Sequence, residues 1–251
     1  MPVTIAVLGD RNVDLLTHRE IDATLALVPA DVDARWLPSP EAESAAEADG
    51  LWVVPGTPYR DDGAVLGAIH RARTAGMPIL GTCGGFQYMV VEFARNAAGI
   101  GGAAHEETEP DAPDPVVARL SCSLVGEERQ VTAVAGTRIA ELCGTAPFTG
   151  FHWCNYGLAP EREAALVGAG LVVSARAPDA GVEAVELPGH PFYLATLFQP
   201  QVGSSSSGQL HPLIAALISA AAGAASMPGA FRRPAHGGPA RGSLRSERPR
   251  R

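Results

Sequence analysis

Between Val3 and Ala97, short apolar runs alternate with stretches whose apolar residues recur at helical spacing, and this alternation constrains the fold more than any other feature. Val3–Leu8, Val32–Leu37, Gly50–Val54 and Met77–Leu80 read as buried strands closed by turn residues such as Gly9-Asp10 and Pro55-Gly56. A helix carrying Ile21, Leu25 and Val28 follows the first run, with Thr17 and Glu20 reading as a capping box. A second helix, capped by Asp61 and closed by Gly76, carries Val65, Ile69 and Ala72. A third carries Phe86, Met89, Val90, Phe93 and Ala97. Strand and helix in such alternation build an α/β fold: an open, mostly parallel sheet with helices on both faces.

The second half changes character. Leu120–Leu124, Val131–Val134, Leu171–Ala175, Val182–Leu187 and Phe192–Phe198 read as short strands split by turns, hence antiparallel additions to the sheet. Ser204–Gly208 reads as a flexible loop and Leu213–Ala222 as a last helix. The expected division is one domain over 1–224 and a disordered Arg-rich tail over 225–251. All 19 basic residues are arginine, against 27 acids. Seven of the arginines fall between Arg232 and Arg251, so the body before them is acidic and unsuited to nucleic acid. No apolar run approaches the length of a membrane span, and the N-terminus lacks the pattern of a signal peptide, so the expected location is the cytoplasm without membrane contact. The four cysteines, Cys83, Cys122, Cys143 and Cys154, show no metal-ligand spacing and are expected as free thiols, with neither metal nor cofactor.

The chemistry concentrates at Gly81-Thr82-Cys83-Gly84-Gly85, between a strand and a helix. A cysteine flanked by glycines there makes a nucleophile elbow, a tight turn that lifts the side chain over the C-terminal edge of the sheet. The free N–H groups of a helix start favour a thiolate and stabilise an oxyanion, a role open to the N–H of Gly84. The competing reading makes Cys83 one more small buried residue.

Gly81–Gln87 resembles the GxCxGxQ elbow of class I glutamine amidotransferases, and Glu92-Phe93-Ala94-Arg95-Asn96 is similar to the version in the C-terminal glutaminase domain of CTP synthases. Val54-Pro55-Gly56, Glu107 with its neighbouring prolines, and His190-Pro191-Phe192 leading to Phe198 and Pro200 follow in the order of that family, so the likeness runs from about Thr4 to Leu217. The resemblance implies a flavodoxin-like three-layer fold and hydrolysis of a glutamine-like amide by Cys83. It further implies oxyanion N–H groups from Gly84 and Gly56, and ligand contacts from Gln87, Glu107 and His152. The family's larger synthase portion is absent from this sequence, which implies a separate synthase or acceptor subunit as partner.

The sequence departs from the family at the proton relay. Where the family reads Phe-His-Pro-Glu, this chain reads Phe198-Gln199-Pro200-Gln201, two amides that cannot serve as a base. Near His152-Trp153-Cys154-Asn155-Tyr156 the family has an arginine for the ligand carboxylate, and none stands here before Arg162. His152, His190, His105 and His70 are candidates for a displaced base, His105 first among them. Trp153 and Tyr156 are expected to pack in the ordinary way. Three readings follow: an amidotransferase-type enzyme using Cys83, a non-hydrolytic ligand-binding or regulatory module, and a thiol-based sensor.

Overall fold

In chain order the elements begin with β1 (Val3–Leu8), α1 (Leu16–Leu25), β2 (Val32–Leu37), a 3-10 stretch (Ser39–Glu47), β3 (Gly50–Val53), α2 (Asp62–Ala75), β4 (Ile79–Thr82) and α3 (Gly84–Asn96). Then come β5 (Ala103–His105), β6 (Asp114–Arg119), β7 (Glu127–Ala133), α4 (Arg138–Cys143), β8 (Phe148–His152), β9 (Tyr156–Leu158) and α5 (Pro160–Gly168). The last are β10 (Val172–Ala177), β11 (Gly181–Glu186), β12 (Tyr193–Thr196), α6 (Ser204–Ser207) and α7 (Pro212–Ser226). These come from a computed structural model that describes residues 2–226; the expected tail lies almost wholly outside them.

The main sheet has the order β2-β1-β3-β4-β12-β11-β10-β7-β8. The first five strands are mutually parallel. The last four add on antiparallel. Because successive strand residues point to opposite faces, each strand feeds two cores. Leu8, Leu51, Val53 and Ile79 pack on one face against α2, α3 and the 3-10 stretch. Val7, Trp52, Val54 and Leu80 pack on the other against α1, α4 and α7, through Ile21, Ile139 and Leu217. The expected three-layer α/β architecture is the one observed.

The start and end of α2 are as read from the sequence. The Asp61 carboxylate accepts from the Ala64 N–H at 2.8 Å, and Gly76 closes the helix at φ 72°, in the left-handed region that glycine fills without cost. Other expectations need correcting. Thr17 does not cap α1: the N-cap is Leu15, with no side-chain cap, and Thr17 is buried inside the helix. Glu20, also buried, instead reaches the segment after β12. Its carboxylate accepts from the N–H of Gly203 at 3.1 Å and of Ser205 at 3.0 Å, and from the Ser205 hydroxyl. So Ser204–Gly208 is not a free loop but carries the short helix α6, with the Thr24 hydroxyl bonded to Ser204.

The strand expected at Leu120–Leu124 lies earlier, at β6, where Pro115 pairs with Ala104. A proline near a strand's start sacrifices little of the ladder but hides the strand from pattern reading. β6 joins β5 and β9 in a separate three-stranded sheet. Leu120 and Leu124 donate irregularly to the carbonyls of Asn155 and Cys154. Among the described residues, no helix is long and apolar enough to cross a membrane.

Candidate functional site

Four chain segments meet beyond the C-terminal edge of the parallel strands: the turn after β4, the loop after β3, the end of β12 and the link between β8 and β9. The first carries Cys83. Its N–H donates to the Thr196 carbonyl at 2.8 Å, and its carbonyl accepts from the Gln87 N–H at 3.1 Å, so the corner is tied to β12 and to α3. Cys83 sits at φ 52°, ψ −107°, a conformation that favours glycine. It is the sole non-glycine residue with positive φ among the described residues.

The flanking glycines have steric reasons. A Cβ on Gly85 would lie 2.0 Å from the Val53 carbonyl oxygen, and one on Gly84 would lie 2.5 Å from the Thr57 methyl. A Cβ on Gly81 would meet the Met89 sulfur at 2.5 Å. The strained corner therefore presses its backbone onto β3 and the loop after it. That places the Gly84 N–H, which has no intrahelical partner, at the head of α3.

The loop after β3 contains Gly56 at φ 116°. It is held from below by His18, whose Nε2–H donates to the Pro55 carbonyl at 2.9 Å while Nδ1 accepts from the Asn12 N–H at 2.8 Å. Burial lowers the His18 pKa, which keeps the ring neutral in this role. The Tyr59 hydroxyl donates to the Val54 carbonyl at 2.5 Å. His18 escaped sequence reading because the loop it supports lies 37 residues away.

The expected ligand contacts are placed as follows. Gln87 is buried, and its amide is committed: Nε2 donates to the Tyr156 carbonyl at 2.8 Å, and Oε1 accepts from His105 Nε2 at 3.0 Å. His105 Nδ1 accepts from the Glu107 N–H at 3.2 Å, so the ring is neutral with its proton on Nε2, and burial lowers its pKa to about 4. The Glu107 carboxylate accepts from the Thr57 hydroxyl at 3.2 Å, which ties the segment after β5 to the Gly56 loop. Partial desolvation raises the Glu107 pKa, with Thr57 and the charge of Arg119 opposing it. Arg119 lies over the Tyr156 ring at 5.3 Å and donates to the Tyr156 hydroxyl at 3.1 Å. This exposed guanidinium beside Glu107 stands at the end of β6, outside the His152–Arg162 segment where a cation was expected, and sequence pattern alone does not disclose it.

Gln199 and Gln201, both buried, hydrogen-bond to each other: Gln201 Nε2 donates to Gln199 Oε1 at 2.8 Å. No candidate histidine hydrogen-bonds to Cys83. His152 is wholly buried and its Nε2 meets both Glu183 carboxylate oxygens at 2.9 and 3.0 Å. His105 is occupied as described. His70 lies on α2 against Glu92 at 2.8 Å. His190 precedes β12, whose register sets even Tyr193 opposite Ile79, four residues or about 13 Å from Cys83 at ~3.3 Å per residue, so His190 lies at the strand end away from Cys83.

Cys83 is 5% exposed. Its Sγ points to the Trp153 carbonyl at 3.7 Å. A cavity of about 160 Å³ opens nearby beneath Tyr88 and His105, bounded by Asp62, Arg95 and Glu109, and Cys83 does not line it. Trp153 is not packed away as expected: it is 43% exposed, stacking on Phe151 with ring centroids 6.3 Å apart.

Comparison with known proteins shows the family and the fold of the chain. Residues 55–201, from Pro55 in the loop after β3 to Gln201, match the model of the family described as Peptidase C26. The chain is 36% identical over 214 residues to a CTP synthase of Leifsonia xyli, covering 76% of this chain and 38% of that protein. It is 35% identical over 226 residues to a CTP synthase of Pyrobaculum aerophilum, covering 80% of this chain and 42% of that protein. The chain thus spans about two fifths of the length of these relatives. Among solved structures, the glutaminase domain of Trypanosoma brucei CTPS with bound acivicin superposes with a TM-score of 0.75 at 24% identity, covering 88% of this chain and 94% of that one.

Proposed function

The chain belongs to the Peptidase C26 family, and on that premise we propose that residues 1–224 form a CTP synthase-related class I glutamine amidotransferase-type domain. In this reading Cys83 remains the reactive group and acts on a small amide or carbonyl ligand related to glutamine. The observation that carries the proposal is the backbone of Cys83: a non-glycine residue at φ 52°, ψ −107° costs about 1–3 kcal/mol. A cysteine serving only as core filler gains nothing from that strain. A nucleophile gains a sulfur held at the head of α3, against the Gly84 N–H and the Gly56 loop, where an oxyanion would form. Glu107 and Arg119, on the substrate side, have the charges to hold the ammonium and carboxylate of an amino-acid ligand.

The ordinary proton relay is missing from this site. Gln199 and Gln201 bond to each other and neither accepts a proton from a thiol. General-base help contributes about 10²–10⁴-fold in rate, so we expect covalent capture of a ligand by Cys83 with slow or absent release. Ammonia release from glutamine and other small amides, measured beside covalent labelling of Cys83 by a glutamine analogue, tests this. Labelling in the wild type and none in Cys83→Ala supports the reading; failure of any amide or analogue to engage Cys83 removes it.

The paired amides favour a second reading, a regulatory module that holds its ligand without attacking it. Ligand-induced thermal stabilisation that survives in Cys83→Ala distinguishes it. Either form works in a reducing cytoplasm beside a separate synthase or acceptor subunit.

A further inference from the structure

The sulfur of Cys83 has a second cysteine for a neighbour. Cys154 lies in the three-residue link between β8 and β9, one residue past the Trp153 carbonyl that Cys83 Sγ approaches at 3.7 Å. The two side chains belong to the same buried core, and the carbonyl that Cys83 Sγ approaches is bonded directly to the Cys154 backbone nitrogen. Both are nearly closed to solvent, at 5% and 7% exposure. The other two cysteines are placed differently. Cys143 ends α4 and packs into the core on the opposite face of the sheet, and Cys122 is exposed.

We propose that Cys83 and Cys154 form a dithiol–disulfide couple, oxidised by a small hydroperoxide and reopened by a dithiol reductant. This goes beyond the amidotransferase reading and does not depend on it, since no amide takes part. The two thiols have unequal environments. The neighbouring Cys83 thiol and burial push the Cys154 thiol well above its ordinary range, and the charge of Glu183 adds to this. Cys83, held at the head of α3, is the sulfur that meets the oxidant, and Cys154, in the adjoining link, is the one that resolves it.

The Cys83 sulfur attacks one oxygen of the hydroperoxide. The O–O bond breaks, an S–O bond forms, and the alcohol (water, for hydrogen peroxide) leaves with the thiol proton, giving a sulfenic acid. The Cys154 sulfur then attacks the Cys83 sulfur. The S–O bond breaks, the S–S bond forms, and the hydroxyl leaves as water with the Cys154 proton. Two thiols lose two electrons and the peroxide gains them. Cys154 sits in a link rather than in a strand, so closing to a bond of about 2.05 Å requires a shift of the link and not of the sheet.

The full chain, treated with limiting hydrogen peroxide, alkylated and cleaved at arginine, should yield peptide 74–95 joined to peptide 139–162, and a dithiol should release them. In Cys154→Ser the cross-link should vanish and a dimedone adduct at Cys83 should rise several-fold over wild type. Cys143→Ser should leave the cross-link intact, which separates Cys154 from the other cysteine of the same peptide. The proposal is overturned if the wild type gives no 74–95/139–162 cross-link, if the cross-link survives in Cys154→Ser, or if Cys154 pairs with Cys122 instead. Ammonia release does not enter any of these results, so failure of the amidotransferase reading leaves the couple standing, and the reverse.

Discussion

His105 makes the site sensitive to acid in a way that can be worked through. The ring is 3% exposed and spans two groups, Gln87 through Nε2–H and the Glu107 N–H through Nδ1. Burial lowers its pKa from 6.5 to about 4. Above about pH 6.5 the ring is neutral in folded and unfolded chains alike, and its titration costs nothing. As pH falls below 6.5 the unfolded chain binds a proton that the folded chain resists, so stability declines, and the decline ends once the folded ring protonates near pH 4. The gap corresponds to about 3 kcal/mol, with a slope that approaches ~1.4 kcal/mol per pH unit from this residue alone. His211, also lowered to about 4 by burial, contributes in the same window. His105→Gln keeps a donor for Gln87 and an acceptor for the Glu107 N–H but cannot titrate. Urea unfolding between pH 7 and pH 4 should show the variant losing about 3 kcal/mol less than wild type. Parallel curves for the two proteins would refute the assignment of a buried, neutral His105.

Other perturbations test the remaining parts of the site. Gln199→His with Gln201→Glu replaces the paired amides by an imidazole and a carboxylate at the same two positions, and ammonia release from glutamine should rise by about 10²-fold or more; no rise in a folded variant places the deficiency at ligand binding instead. Gly85→Ala puts a methyl 2.0 Å from the Val53 carbonyl oxygen, between two backbones that cannot part, and should cost about 3 kcal/mol in urea unfolding. Glu20→Ala strips the carboxylate that Gly203 and Ser205 share and should cost about 1.5–3 kcal/mol, with faster proteolysis after Gln201 as the local readout. Arg119→Ala should weaken binding of a carboxylate-bearing glutamine analogue at least several-fold while leaving iodoacetamide labelling of Cys83 unchanged; equal analogue binding would remove Arg119 from the ligand.

What the sequence disclosed was local. The parallel strands were visible because both of their faces are apolar, and α2 because Asp61 and Gly76 mark its ends within the chain itself. The elbow was visible because its glycines must be contiguous. What stayed hidden depends on residues far apart. His152 meets Glu183 across 31 residues, Arg119 meets Tyr156 across 37, and Cys83 reaches the carbonyl of Trp153 across 70. Thr17 and Glu20 satisfied a capping pattern, yet Glu20 serves α6 because a carboxylate gains more from three donors at a buried junction than from one helix end. β6 was displaced in the reading by its proline, and β9, at three residues, by its shortness. The Glu92–Asn96 likeness to CTP synthases has a structural basis: Glu92 is fully buried and takes a two-pronged contact from Arg73 at 2.8 Å, which locks α3 to α2.

The pattern of costs around Cys83 separates a site from a core. A strained cysteine backbone is one such cost. A second is the set of buried polar atoms left without protein partners: His152 Nδ1, Gln199 Nε2 and Gln201 Oε1. The backbone of Gln199 bonds that of Phe151, next to His152, at 2.8 Å, so these atoms belong to one neighbourhood. Each uncompensated buried polar atom costs about 1–3 kcal/mol, and apolar residues of similar volume would avoid it. Donor and acceptor together call for a small polar occupant, ordered water or the ligand itself. If the amides were only filler for a lost relay, Gln199→Leu with Gln201→Met would stabilise the fold and leave ligand binding intact. If they hold the occupant, the same pair of changes abolishes ligand-induced stabilisation whatever it does to the fold.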